Sequence, residues 1–176
     1  MDYDFSKVEK KWQARWDDKK VFVAKEDKTK KKFYALVEFP YPSGAGMHVG
    51  HIKAYGGLEV IARKKRMEGY NVLFPIGFDA FGLPTENYAI KTGIHPRKVT
   101  DMNIARFTEQ LKKVGFSFDW TRVIDTTDED YYKWTQWIFL KMFEHGLAFR
   151  DKTLVNYCPS CKVVLSNEDS QGGKCD

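Results

Sequence analysis

"FPYPSGAGMHVGH", residues 39–51, sets two histidines, His48 and His51, three positions apart behind a loop of small residues. What precedes it decides where the loop sits. Phe33-Tyr34-Ala35-Leu36-Val37-Glu38-Phe39 is a run of aromatic and apolar residues that follows a lysine-rich turn and stops at Pro40, the pattern of a buried strand. Downstream, Ile52, Tyr55, Leu58, Val60, Ile61 and Met67 recur at helical spacing until Gly69, and Asn71-Val72-Leu73-Phe74 begins another strand over 72–75. Strand, small-residue loop, helix, strand is the unit of a doubly wound α/β sheet. Ligands of such sheets bind outside the carboxyl ends of the strands, where a helix N-terminus offers backbone N–H groups to an anion.

Two ligands suit the histidines on residue chemistry alone. A metal is one, because i and i+3 share a helix face, but such sites recruit a further ligand and no Glu or third His stands beside this pair. A phosphate is the other. Gly44, Gly46 and Gly50 permit close backbone approach, so the loop can wrap a nucleotide that bulkier residues would exclude. The segment Gly77-Phe78-Asp79-Ala80-Phe81-Gly82-Leu83-Pro84-Thr85-Glu86 follows the second strand and brings an acid, Asp79, to the same carboxyl edge, with Gly82 and Pro84 shaping the turn into a further helix. A carboxylate there either caps a helix or meets a cationic ligand group such as an ammonium.

The remaining chain is mostly helical. Ser6 and Glu9 form a capping-box pattern ahead of a stripe of Val8, Trp12 and Trp16, and Thr127 and Asp130 repeat the box before Tyr131, Trp134, Ile138, Phe139 and Met142, with Gly146 as the stop. Both stripes are expected to pack in the core. A shorter helix is expected over 102–114, from Ile104, Phe107, Leu111 and Val114. With 176 residues, 43% hydrophobic and 15% aromatic, the chain can bury a core. No apolar run approaches a membrane span and the N-terminus lacks the apolar centre of a secretion signal, so a cytoplasmic protein is expected, with neither membrane nor DNA as partner. The net charge of +5 is compatible with RNA, while Lys28-Thr29-Lys30-Lys31-Lys32 reads as a solvated turn. Cys158-Pro159-Ser160-Cys161 follows a strand over 153–157, and Cys175 stands one residue before the end. A CxxC pair followed by one Cys matches three of the four ligands of a structural Zn²⁺ site; reduced thiols or a redox pair are the other readings.

His48-Val49-Gly50-His51 resembles the HIGH signature of class I aminoacyl-tRNA synthetases. With "NVLFPIGFDAFGLPTE" and "DYYKWTQWIFLKMFEHGLA" the resemblance extends over 39–148 and is leucyl in type, as in bacterial leucyl-tRNA synthetases. It implies the N-terminal half of a Rossmann-like nucleotide-binding domain ending in a partial zinc-knuckle module: 1–32 an N-terminal amphipathic helix and turn, 33–151 the first half of the catalytic domain, 152–176 the start of the zinc module. The implied chemistry is activation of leucine with ATP and Mg²⁺ and transfer to tRNA(Leu). The resemblance assigns His48 and His51 to catalysis, and Gly44, Gly46 and Gly50 with both histidines to ATP. It assigns Phe39, Tyr41 and Asp79 to the amino acid, and Cys158, Cys161 and Cys175 to zinc. A free-standing ATP- or RNA-binding module and a valyl or isoleucyl relative are the alternatives. The class supplies a further lysine from a KMSKS loop, a motif that does not occur in these 176 residues, so the chain by itself is expected to be inactive as part of a longer enzyme.

Overall fold

The segment 71–79 takes backbone hydrogen bonds on both edges. Its first part, β2 (Asn71–Leu73), pairs in parallel with β1 (Lys32–Tyr34), from Lys32 opposite Asn71 to Tyr34 opposite Leu73. One further step follows where Ala35 N donates to the Leu73 carbonyl at 2.9 Å. Its second part, β3 (Gly77–Phe78), pairs in parallel with β4 (Ile124–Asp125). On that edge the carbonyls of Phe74, Ile76 and Phe78 accept from the N–H groups of Asp119, Ile124 and Thr126. Pro75 lies between and has no N–H to place in a ladder. The second strand therefore ends at Leu73 rather than running through 75, and β3, β4 and the shortness of β1 were not legible as strands. Parallel pairing needs crossovers. The first is α2 (Val49–Met67), and the second contains α3 (Leu83–Thr92) and α4 (Pro96–Val114).

This computed structural model describes residues 3–42, 44 and 46–174, which divide into two units, 1–134 and 135–176. The first opens with α1 (Phe5–Asp18), capped by the Asp4 carboxylate on Lys7 N rather than by a Ser6 box. Trp16 of its stripe packs on Phe22 and beneath the Arg63 guanidinium, whereas Trp12 is exposed. α4 begins at Pro96, earlier than the apolar spacing suggests, because His95 caps it and proline is accommodated in the first turn. α5 (Glu129–Glu144) spans the division; Thr127 turns back to Asp125 instead of capping it, and no α5 residue is buried. Its apolar stripe, Tyr131, Trp134, Ile138, Phe139 and Met142, is thus exposed, not core. Gly146, at φ 69°, ends it as expected. In the second unit β5 (Asn156–Cys158) pairs antiparallel with β6 (Val163–Leu165), so the strand placed at 153–157 starts later. No helix among the described residues is long and apolar enough to cross a membrane.

The core of the first unit gathers Tyr55 and Ala62 of α2, Leu111 of α4, Val72, Phe74, Ile76, Phe116 and Phe118. Phe74 and Phe118 pack tilted at 4.4 Å between ring centroids, and Tyr55 meets Phe118 edge-on at 6.1 Å. On α2, Ile52 and Leu58 pack against this core, but Val60, Ile61 and Met67 face solvent and Glu59 is buried in their stead. The Glu59 carboxylate accepts from Ser117 N at 2.9 Å and Ser117 Oγ at 2.8 Å, and pairs with Arg63 on the next turn. Removing one partner of such a group strands the others. Glu59→Ala is expected to lower the unfolding free energy by about 2–4 kcal/mol, measured by urea unfolding. A change within experimental error would remove the clamp from the account.

Candidate active site

His48 is the N-cap of α2, in extended backbone, and its ring Nδ1 accepts from Gly50 N at 3.1 Å. His51, one turn on, closes the reciprocal half: its Nδ1 accepts from His48 N at 3.3 Å. Histidine thus fills both places of a capping box, a role usually taken by Ser or Thr with Glu or Gln. The two imidazoles stack with centroids 4.0 Å apart. Gly50 lets the His48 ring sit where it does, since a Cβ there would come within 2.8 Å of it. The four-residue motif is therefore one geometric object.

Both Nδ1 atoms accept backbone hydrogens, so neither carries a proton and each ring keeps Nε2–H as its donor. Burial, and then electrostatic repulsion between the two stacked imidazoles, hold the His51 ring below its ordinary pKa. Its ring also meets Phe107 edge-on at 6.0 Å and Tyr55 at 6.0 Å. The Tyr55 phenol, pushed up to about 12 by burial and then by Glu38, stays neutral, and its hydroxyl has no hydrogen-bond partner among the described residues. The pair can donate to an anion through Nε2–H at the start of a nineteen-residue helix.

The loop before the histidines is held by α4. Met47 N donates to Gln110 Oε1 at 2.8 Å, and buried Asn103 donates through Nδ2 to the Pro42 carbonyl at 2.7 Å. Gly46 lies against the same side chain: a Cβ would stand 2.8 Å from Gln110 Nε2. Gly44 has open space around it. Asn103 and Gln110 escaped the sequence analysis; their signal was there, as polar positions on the face of α4 that also carries Phe107.

Asp79 is brought to this edge through its backbone, whose N–H donates to the Pro40 carbonyl at 3.1 Å. That bond ties the end of β3 to the turn holding Phe39 and Tyr41. Phe39 is half-buried against Gly77, where a Cβ would come within 2.6 Å of its ring and 2.7 Å of the Ile124 carbonyl. Tyr41 is 54% exposed. In the second unit Cys161 N donates to Cys158 Sγ at 3.4 Å, within a turn closed by Lys162 N on the Cys158 carbonyl and by Lys162 itself at φ 58°. Cys175 lies outside the described residues, and no group of three or more His, Cys, Asp or Glu side chains that could hold a metal occurs among the described ones.

Known proteins match this arrangement closely. A leucine--tRNA ligase of Alkaliphilus oremlandii is 60% identical over 99% of the chain, and one of Thermotoga maritima is 56% identical over 99%. The chain spans about a fifth of the length of these curated relatives, 22% and 21%. Among solved structures, a LeuRS from Agrobacterium radiobacter K84 in a ternary complex with tRNA and LeuAMS superposes with a TM-score of 0.91 at 37% identity, covering 99% of this chain and 22% of that one. A methionyl-tRNA synthetase of Mycobacterium tuberculosis in complex with methionyl-adenylate gives 0.65 at 27% identity, over 82% of this chain and 28% of that one. These matches make the parallel-strand unit a class I catalytic fold of the Rossmann-like kind. The family profile described as tRNA synthetases class I (I, L, M and V) matches residues 11–173, and the chain belongs to that family.

Proposed function

We propose that the chain is the part of a leucine--tRNA ligase that meets ATP and leucine. The observation that carries this is the stacked His48–His51 cap on α2 in a chain 60% identical to a leucine--tRNA ligase. Valyl and isoleucyl relatives share the class, but the curated relatives at 55–60% identity are leucine ligases. The reaction has two steps. The leucine carboxylate attacks the α-phosphorus of ATP, forming leucyl adenylate as pyrophosphate leaves. A terminal ribose hydroxyl of tRNA(Leu) then takes the leucyl group and AMP leaves.

No side-chain nucleophile is needed, so the protein's share is positioning and charge. His48 and His51 present Nε2–H toward the phosphoryl oxygens, where charge builds in the first transition state. Gly44, Gly46 and Gly50 leave room for ATP beside the backbone. Asp79 takes the leucine ammonium, while Phe39 and Tyr41 border its side chain. Mg²⁺, when bound, would neutralise phosphate charge. The Cys158–Cys161 turn suits a thiolate metal site, because a backbone N–H on sulfur stabilises the charged form. With Cys175 it would supply three ligands to a structural Zn²⁺. On this reading the chain divides into 1–32, an N-terminal helix and turn, 33–151, the first half of the catalytic domain, and 152–176, the start of a zinc module, in a cytoplasmic enzyme.

In a full-length enzyme carrying this sequence, Asp79→Ala is expected to cut leucine-dependent pyrophosphate exchange on the order of 100-fold, as loss of a charge-paired contact does. ATP affinity should stay within about twofold. Near-normal exchange would sink the ammonium assignment. His48→Ala and His51→Ala should each lower the exchange rate constant by about 100- to 1,000-fold, with transfer from preformed adenylate reduced far less. Equal losses in both steps would contradict the phosphate role.

The pH profile follows from His51. Its pKa in the folded protein lies below the ordinary imidazole value of 6.5, so the neutral form prevails above that value. As pH falls through the lowered pKa, a proton at Nδ1 removes the acceptor of His48 N–H. Both exchange activity and this residue's contribution to stability should hold at and above pH 6.5 and decline below it. Activity that rises on acidification from pH 6.5 would contradict the neutral-donor assignment.

A further inference from the structure

We infer that Gln110 is a positioning residue for the adenylation step, acting through the loop that carries the two histidines; the inference rests on the function proposed above. Four observations converge on its side chain. Its Oε1 accepts from Met47 N at 2.8 Å, the backbone group directly before the His48 cap. Its Nε2 occupies the space that a Cβ at position 46 would need, which couples Gly46 to an amide at 110. One turn away on the same helix, Phe107 sets its edge against the His51 ring at 6.0 Å. Further along that face, Asn103, itself buried, holds the Pro42 carbonyl at 2.7 Å. Residues 103, 107 and 110 share one face of α4, so one rigid helix grips the loop on both sides of its glycines and touches the second histidine.

The consequence is geometric. A loop of small residues has many conformations, and the Nε2–H donors are useful only where charge develops. Met47 N–H is the last backbone donor before the cap, and Gln110 gives it a fixed partner supplied by a helix rather than by water. Losing that partner frees the loop without removing any group that touches substrate. Gln110 should therefore govern kcat far more than substrate affinity.

The test uses a full-length enzyme carrying this sequence, with Gln110→Met, which keeps the volume and removes the acceptor, and Gln110→Glu, which keeps the acceptor. Gln110→Met is expected to lower kcat for leucine-dependent pyrophosphate exchange about 10- to 100-fold, the scale of a misplacement near one ångström. KM for leucine and ATP should change by no more than about twofold. Gln110→Glu should recover most of the rate. Hydrogen exchange read by mass spectrometry on peptides over 46–52 gives a second, activity-free readout: faster exchange in Gln110→Met, near wild-type exchange in Gln110→Glu. Gln110→Ser, too short to reach Met47, takes the place of Gln110→Met if that variant does not fold. Should the unaltered enzyme lack leucine-dependent exchange, the proposed function fails, and the hydrogen-exchange comparison still decides the grip of α4. Wild-type kcat in the acceptor-free variant, or equal exchange over 46–52 in both variants, overturns the inference.

Discussion

A single buried carboxylate, that of Glu59, organises how the first unit is tied together. It lies on the inner face of α2 and spends one oxygen on Ser117, through both the N–H and the hydroxyl, and the other on Arg63. Ser117 in turn receives Arg66, through its hydroxyl and its carbonyl at 2.9 Å, and Arg63 reaches the Gly115 carbonyl at 2.8 Å. Burial, the dominant effect, pulls the Arg66 pKa below its usual value while Glu59 pulls it back, so the guanidinium is held where it needs its partners. The segment so fixed continues into Asp119, fully buried, whose N–H bonds the Phe74 carbonyl at 2.7 Å and whose carboxylate accepts from Ala24 N and from Thr121. Helix, central strand, the chain after α1 and the approach to β4 meet at these two acids. An apolar residue at 59 would pack but could not satisfy Ser117, and an unpaired buried polar group is the costlier outcome.

That fastening matters to the site because the site is built from chain ends. α2 begins with the histidines at the end of the segment that leaves β1, and Asp79 stands at the end of β3. A backbone bond from Asp79 N to the Pro40 carbonyl ties this edge together. Pro75 splits the central segment so that its first part serves β1 and its second part β4. The close contact of Gly77 with Phe39 and with the Ile124 carbonyl leaves no room for a side chain where β3, β4 and the turn at Phe39 meet.

The sequence disclosed what depends on local pattern and concealed what depends on distant partners. The helix expected downstream of His51, its stop at Gly69 and the turn through Gly82 and Pro84 follow from residue type within a few positions, and the chain forms them. Nothing near Glu59 in the sequence marks it as buried, because its partner is 58 positions away. The apolar stripe of α5 was read as core because helical spacing says that a face is apolar without saying what covers it, and in this chain Trp134, Ile138 and Phe139 are exposed. The strands came out short for a related reason: apolar runs mark burial, whereas strand assignment needs a paired backbone, and Val37 and Phe39 are partly buried with no ladder. His48 and His51 were legible as a pair, and their mutual capping was not, since it depends on which ring nitrogen faces the backbone.

That choice of nitrogen joins the fold to the chemistry. If the histidines were free to rotate, each could offer either nitrogen, and protonation would make both into cations near one another. The cap removes the choice. Each Nδ1 is committed to a backbone hydrogen, Gly50 makes room for the His48 ring that a Cβ would crowd, and burial opposes a charge on His51. What remains is a stacked pair of rings with their second nitrogens as donors, oriented before any ligand arrives. Donors already oriented need no rearrangement when charge develops on a phosphoryl oxygen, and that is the condition under which hydrogen bonds lower a barrier most. The same bonds that start the helix thus fix which ring nitrogens face outward at its tip.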